Sequence, residues 1–406
     1  MDILIVTQYF WPELFRINDL AEGLVARGHQ VTVLTGKPNY PKGKFFTGYN
    51  FLNKHRESFG PITIIRSPLI PRGSKKFQLA LNYFSFAFFA SIVGIFCCKK
   101  PDVIFVYEPS PITVGIPAIV LKKIKKAPII FWVQDLWPES IIAIGAIRSN
   151  HILKLIKKLT QFIYKKCDTI LVTSKAYIDS ITKFDVPSKK IHYFPQTAEA
   201  LYRPIASAHL LPEEKILPKG FRIMFSGNIG SAQNIENILE AAKILKEHTH
   251  IQWIFIGDGS KRKWLQDEIK NAQLTKTVCW LGQHAVESMP RFFSCADVLL
   301  VSLKDDPVFS LTIPAKIQSY LACAKPIIAA LDGEGKKIIE EAQAGLAISI
   351  NNPKELAEAA LQLSQLSQDH LLQMGINGRR YFDQHFNRDS LLENLETWMV
   401  ELKEKN

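Results

Sequence analysis

The chain has 406 residues, 47 % of them hydrophobic and 22 % charged, with a formal net charge of +12. That is the make-up of a globular protein too long for one core, so two domains are expected. The positive balance suits a nucleotide, a nucleic acid or a membrane face, or else reflects a solvated basic surface. Aromatic RNA-binding signatures and zinc-finger spacings are missing, which argues against nucleic acid. Six cysteines without regular spacing make no disulfide framework, so reduced thiols and a cytoplasmic setting are expected.

Residues 1–7 enter a strand directly and lack the basic start of a signal peptide. A strand at 3–6, an amphipathic stretch to Ala26 and a strand at 30–34 form the first unit. Gly28 sits where a helix C-terminal glycine belongs. The loop after the first strand carries Tyr9, Trp11, Glu13 and Arg16; the loop after the second carries Asn39 and Tyr40. Aromatic and polar groups so mixed suit sugar rings, which stack C–H faces on aromatics. Aromatic anchoring of the loops is the alternative. Further strands are expected at 62–65, 103–107, 129–133, 169–172 and 190–194, with a helix at 150–166.

Residues 77–98 hold no formal charge and are long enough to cross a bilayer. A crossing would put strands of one sheet on opposite sides of the membrane. Two readings stay open: a core helix, or a helix lying in the membrane interface with lysines at both ends. After the strand at 129–133 come Asp135 and Glu139. Asp135 could orient or deprotonate a hydroxyl, or simply cap a turn. Glu139 falls in a helix's first turn, where a dipole role competes with catalysis.

The strand–helix pattern breaks between about 197 and 220, where Pro204, Pro212 and Pro218 suggest a linker at 199–220. It restarts with strands near 221–226, 251–256, 277–281, 297–302, 326–330 and 346–350, then turns helical with breaks near 375–378 and 387. Gly227, Asn228 and Gly230 form a turn after one strand, Gly257 to Lys261 after the next. Such turns let backbone N–H groups approach a diphosphate, although tight packing alone also explains glycines there. Ile313-Pro314-Ala315-Lys316 reads as a helix start with Lys316 in its first turn, free to meet a phosphate or only solvent. The fold class is α/β: two doubly wound parallel-sheet domains, with a ligand expected in the cleft between them. Ten scattered histidines give metal ligation little support.

The stretches YFWPELFRIN (9–18), PNYPKG (38–43), VQDLWPES (133–140), SGNIGSAQ (226–233) and DPVFSLTIPAK (306–316) occur in order. They resemble family 4 glycosyltransferases of the GT-B fold, most closely the L-fucosamine transferases of bacterial O-antigen and capsule clusters. The resemblance implies sugar transfer from a nucleotide donor with retention and without a bound metal. A UDP-sugar is the expected donor, and a lipid-diphosphate-linked glycan at the inner membrane face the expected acceptor. Domain 221–384 would hold the donor through Gly227, Asn228, Gly230, Gln233, Gly257, Lys261, Lys316 and Ser319. Domain 1–198 would hold the acceptor through Glu13, Arg16, Asn39 and Tyr40, with Asp135 and Glu139 catalytic. A final helix, about 385–406, would return to domain 1–198.

Departures from the family pattern are specific. An Arg and a Lys often found on the diphosphate fall here near Asn228 and Gln233. Two glutamates eight residues apart fall near Leu311 and Ser319, and a histidine near Gln134 is missing. A nucleotide-sugar 2-epimerase and a non-catalytic scaffold of a polysaccharide assembly complex are the alternatives.

Overall fold

The computed structural model describes the chain except residues 74, 144, 146, 148, 207–210 and 406, and the side chain of Lys76. It divides into two units, Met1–Pro195 with Asp389–Asn406, and Gln196–Arg388.

The first unit is built on eight strands: β1 (Asp2–Val6), β2 (Gln30–Gly36), β3 (Arg56–Phe59), β4 (Ile62–Ser67), β5 (Val103–Glu108), β6 (Ile129–Val133), β7 (Thr169–Val172) and β8 (Ile191–Tyr193). Their order is β3-β4-β2-β1-β5-β6-β7-β8. All neighbours run parallel except β3 and β4. The central strands are mostly aliphatic and aromatic because helices cover both faces, and all six residues of β5, Glu108 among them, are buried. The helices are α1 (Ile17–Ala26), α2 (Lys76–Cys97), α3 (Gly115–Lys125), α4 (Glu139–Ala143), α5 (Asn150–Lys166) and α6 (Tyr177–Thr182). Helix α1 buries Ile17, Leu20, Ala21 and Leu24 and stops at Gly28, whose φ of 87° suits a residue without a Cβ.

The C-terminal helix Arg388–Glu404 belongs largely to this unit. Its Leu391, Leu392, Leu395 and Met399 join Ile3, Val31, Val103 and Trp132 in one core. Burial of each such side chain is worth about 1.5–3 kcal/mol. Glu396 pins the helix further through Arg27 and His29, both at 2.6 Å.

Strand β3 was not expected from the sequence. Arg56-Glu57-Ser58-Phe59 holds one apolar residue, and edge position, not burial, makes it a strand. Helix α2 crosses the sheet face between β4 and β5 and packs on α3, β4 and β2. Phe86, Ala87 and Ala90 are buried, and Gly94 lets Leu121 and Leu34 approach its backbone.

The second unit carries β9 (Phe221–Ser226), β10 (Ile251–Ile256), β11 (Val278–Trp280), β12 (Val298–Ser302), β13 (Ile327–Ala330) and β14 (Gly345–Ile348), all parallel. The order β11-β10-β9-β12-β13-β14 is that of a dinucleotide-binding sheet, with its switch point between β9 and β12. Eight helices cover it: α7 (Ile235–Ile244), α8 (Arg262–Asn271), α9 (Met289–Ser294), α10 (Pro307–Ser310), α11 (Ala315–Ala322), α12 (Glu334–Ala342), α13 (Pro353–Ser364) and α14 (Gln368–His385).

Two expectations are corrected here. The described part of 199–220 is not a free linker but part of the second unit; residues 207–210 lie outside the described residues. Leu217 is buried, Glu213 meets Arg291 at 2.7 Å, and Glu214 grips Arg222 with contacts of 2.5 and 2.8 Å. Nor does the chain break at 375–378, where α14 runs straight through. A Cβ on Gly375 would lie 2.1 Å from the carbonyl oxygen of Ala324, and one on Gly378 2.9 Å from Leu321. These glycines let α14 lie close against the end of α11 and the turn after it; they do not end the helix.

Candidate functional site

In the second unit the turns after β9 and β10 are locked together. The Gly227 N–H donates to Ile256, Ile229 to Asp258, and Lys261 to Ile229 at 2.8–2.9 Å. Gly257 has φ 136°, and a Cβ there would sit 1.9 Å from the Gly227 carbonyl oxygen. A Cβ on Gly259 would meet the Ile229 carbonyl oxygen at 2.4 Å. Both positions require glycine because backbone lies against backbone. Asn228 is exposed and folds over Gly230 and Gly259.

Lys316 enters this turn from α11. Its Nζ donates to Gln233 Oε1 at 2.7 Å and stands 3.7 Å from the centre of the Phe225 ring. Its Cε would touch a Cβ on Gly227 at 2.8 Å. Among the described residues no carboxylate pairs with it, and burial lowers its pKa to about 7. Residues 226–233 and 313–319 thus meet at the switch point. The ammonium stands beside Gln233, near which the sequence lacks the family's lysine.

The other expected donor residues divide. Lys261 is already engaged by an ion pair with Glu236, and burial together with Lys304 lowers its pKa. Ser319 is buried, with its Oγ 3.4 Å from the Ala315 carbonyl of its own helix. Tyr320 was missed. It is fully buried, its hydroxyl takes the Ser226 N–H at 3.3 Å and reaches the Leu300 carbonyl at 3.5 Å, bridging β9 and β12. Its position four residues after Lys316, on the same helix face, was the available signal.

In the first unit Glu13 is 3 % exposed and accepts the N–H groups of Asn39 and Tyr40 at 2.8 and 2.7 Å. Burial raises its pKa to about 7 against those bonds. Asn39, fully buried, gives its amide to Lys37 and accepts the Arg72 N–H at 2.9 Å. Through Oε1 of Glu13 and the amide of Asn39 these two residues hold two loops in register. Arg16 stands at the start of α1. Tyr40 is on the surface, its ring 5.4 Å from Tyr9 and 5.3 Å from Phe15.

Asp135 follows β6, and burial alone raises its pKa to about 7. Beside it is Glu108, the last residue of β5, also missed in the sequence. Glu108 is fully buried and raised well above the usual carboxylate range, first by burial and then by Asp135. The N–H groups of 110, 134 and 135 lie near it and favour charge, yet neither oxygen has an aligned hydrogen bond. Burial thus favours the protonated form of both carboxyls, and the charge of Asp135 adds to this at Glu108. Glu139 opens α4, with its Oε2 shielded and unpaired. Trp137 packs edge-on against Tyr83 at 6.5 Å.

Residues 16–197 match the family described as Glycosyltransferase Family 4, and residues 210–381 match Glycosyl transferases group 1. The chain is 26 % identical to the protein named as the colanic acid biosynthesis glycosyl transferase WcaI of Escherichia coli K12, over 79 % of this chain and 81 % of that one. It is 28 % identical to the glycosyltransferase named WbjE of Pseudomonas aeruginosa, over 58 % and 59 %. Among solved structures it resembles sucrose-phosphate synthase of Thermosynechococcus elongatus, with TM-score 0.75, 16 % identity and 100 % and 99 % coverage. Anabaena HepE in complex with UDP and glucose gives TM-score 0.70, 15 % identity and 98 % and 99 % coverage.

Proposed function

Since the chain belongs to the family 4 glycosyltransferases of the GT-B fold and serves polysaccharide biosynthesis, we propose that it is a retaining transferase that moves a sugar from a UDP-sugar to a lipid-linked glycan. N-acetyl-L-fucosamine is the sugar the sequence resemblance favours. The observation that carries the donor reading is Lys316 above the Gly227 turn, held by Gln233 and without a carboxylate partner among the described residues. The departing UDP gains negative charge as the glycosidic bond breaks. Lys316 and the glycine-turn N–H groups supply the opposite charge in a shielded place, where it is worth most, so no metal is needed.

In the first unit Asp135, within electrostatic reach of Glu108, would accept the proton of the acceptor hydroxyl or steady the positive sugar. With its pKa near 7 it is balanced between the two forms at neutral pH. The bound UDP of HepE supports the choice of nucleotide.

Helix α2 supports a peripheral membrane position at the inner face. It is long and apolar enough to cross a membrane, yet only 28 % of its most apolar stretch is buried. Phe84, Phe88, Ile92 and Phe96 recur every four residues and are exposed, forming one outward stripe. Because β4 and β5 share a sheet, the helix lies along the unit and presents that stripe sideways. Lys99 and Lys100 at its end would meet anionic headgroups.

The test is to incubate purified protein with a panel of UDP-sugars and a polyprenyl-diphosphate glycan, measuring UDP release and product mass. Transfer from one UDP-sugar, with the anomeric configuration kept, is expected. Turnover of the donor without acceptor would favour an epimerase, and neither would reject the reading.

A further inference from the structure

We propose that Arg72 is the phosphate-binding residue of the acceptor site, holding the phosphate of a lipid-linked phosphate whose chain lies along α2. This rests on the lipid-linked acceptor reading given above.

The segment before α2 is clamped on both sides. From α2, the Asn82 amide donates to the Ile70 carbonyl at 2.7 Å and Ser85 Oγ accepts the Ile70 N–H at 2.9 Å. From the loop after β2, Asn39 Oδ1 accepts the Arg72 N–H at 2.9 Å. In that loop Gly43, with φ 70°, lies so close that a Cβ would be 1.9 Å from the Arg72 carbonyl oxygen. Asn39 belongs to the Glu13 anchor already described, so the loop that fixes Arg72 is itself held from β1.

The guanidinium this clamp presents differs from those of Arg66 and Arg222. Arg66 is fully buried and pairs with Glu57, also donating to the carbonyls of Gly36 and Trp11. Arg222 is gripped by both oxygens of Glu214. Arg72 meets no carboxylate among the described residues. It has a 3.5 Å contact from Nη1 to the Tyr9 hydroxyl and lies 5.0 Å from the centre of the Tyr40 ring. A guanidinium has five N–H donors in a planar fork, the shape that binds phosphate through two oxygens. Tyrosine neighbours position it without neutralising it. Tyr83, from α2, lies within electrostatic reach of both Arg72 and Asp135, the acid proposed for the acceptor hydroxyl.

The apolar surroundings choose between a free phosphate and a lipid one. Ile70 is 40 %, Phe77 71 % and Phe84 59 % exposed. Ile70 precedes Arg72 by two residues and is held by Asn82 and Ser85 of α2, and Phe77 and Phe84 begin the exposed stripe of that helix, which continues through Phe88, Ile92 and Phe96. A charged head at Arg72 with its chain on that stripe satisfies both surfaces. A soluble phosphate leaves the stripe uncovered.

The experiment uses full-length protein in mild detergent with saturating UDP, so that the second unit's anion site is filled. Calorimetry measures binding of farnesyl diphosphate, inorganic pyrophosphate and farnesol to wild type, Arg72→Met and Arg72→Lys. UDP binding, measured separately, reports on the donor site and the fold. Wild type should bind farnesyl diphosphate at least tenfold more tightly than either other probe. Arg72→Met should lose at least tenfold toward farnesyl diphosphate with UDP affinity unchanged, and Arg72→Lys should fall between. Equal binding of farnesyl diphosphate by Arg72→Met and wild type would overturn the assignment. Equal affinity for pyrophosphate and farnesyl diphosphate would overturn its lipid part. If Arg72→Met misfolds, Arg72→Lys decides: a threefold or greater loss supports the proposal and an unchanged affinity rejects it. Failure of UDP binding alone would count against the donor reading and leave the Arg72 comparison intact.

Discussion

The two units are both doubly wound parallel sheets, the first with an added antiparallel edge strand, and differ in the charge placed at the carboxyl ends of their strands. In the second unit the edge is made of glycine turns, peptide N–H groups and Lys316, whose pKa burial lowers to about 7. In the first unit the corresponding edge collects Glu13, Glu108 and Asp135, all raised by burial, among aromatic rings. One sheet frame therefore carries a lysine and peptide N–H groups at the strand ends of one unit and a cluster of carboxyls at those of the other. What decides the chemistry is the few residues just past each strand, where side chains escape the packing that fixes the strand itself.

That contrast can be broken from either side. The largest effect is expected from the acid edge. Asp135→Asn keeps shape but removes the base, and transfer rate should fall on the order of 10²–10⁴-fold with UDP affinity retained. Next, Gly257→Ala forces a Cβ to within 1.9 Å of the Gly227 carbonyl at a φ of 136°. It should destabilise the second unit by roughly 2–4 kcal/mol, read as a lowered urea midpoint, with UDP binding weakened in parallel.

Smaller effects come from titration. Glu13 and Asp135 hold protons up to about pH 7 when folded, but only to about pH 4 when unfolded. The folded state binds more protons in that window, so stability should fall as pH rises from about 4 to 7. The slope is at most about 1.4 kcal/mol per pH unit for each group. Lys316 acts oppositely, the unfolded chain binding more protons between about pH 7 and 10, so stability recovers there. Urea titrations of Glu13→Gln should show a flatter acid-side slope, and those of Lys316→Met a flatter alkaline one. The smallest effect is expected from metal removal: dialysis against EDTA should leave transfer unchanged within about a factor of two.

Most of the frame was legible because buried parallel strands leave a simple trace. Phe221–Ser226 and Ile251–Ile256 are apolar runs ending at glycine, and the structure starts and stops them at the same residues. Strand β3 was illegible because an edge strand needs only hydrogen bonds on one side, not apolar residues. Gly375 and Gly378 were misread because the same residue that ends a helix also lets another backbone approach one. In the site, Lys316 could be found because proline before a first turn marks a helix start. Glu108 could not, since it closes an apolar strand and gives no sign which way it points. Arg72 could not, because its isolation from carboxylates is a property of space and not of spacing.

The most direct measurement is calorimetric titration of UDP at pH 8 in buffers of different ionisation enthalpy, for wild type and Lys316→Met. Wild type should take up protons on binding as Lys316 becomes charged beside the diphosphate. Lys316→Met should lose that uptake and roughly 10- to 150-fold in affinity, about 1.5–3 kcal/mol. Equal affinity and equal proton uptake in the two proteins would contradict the account.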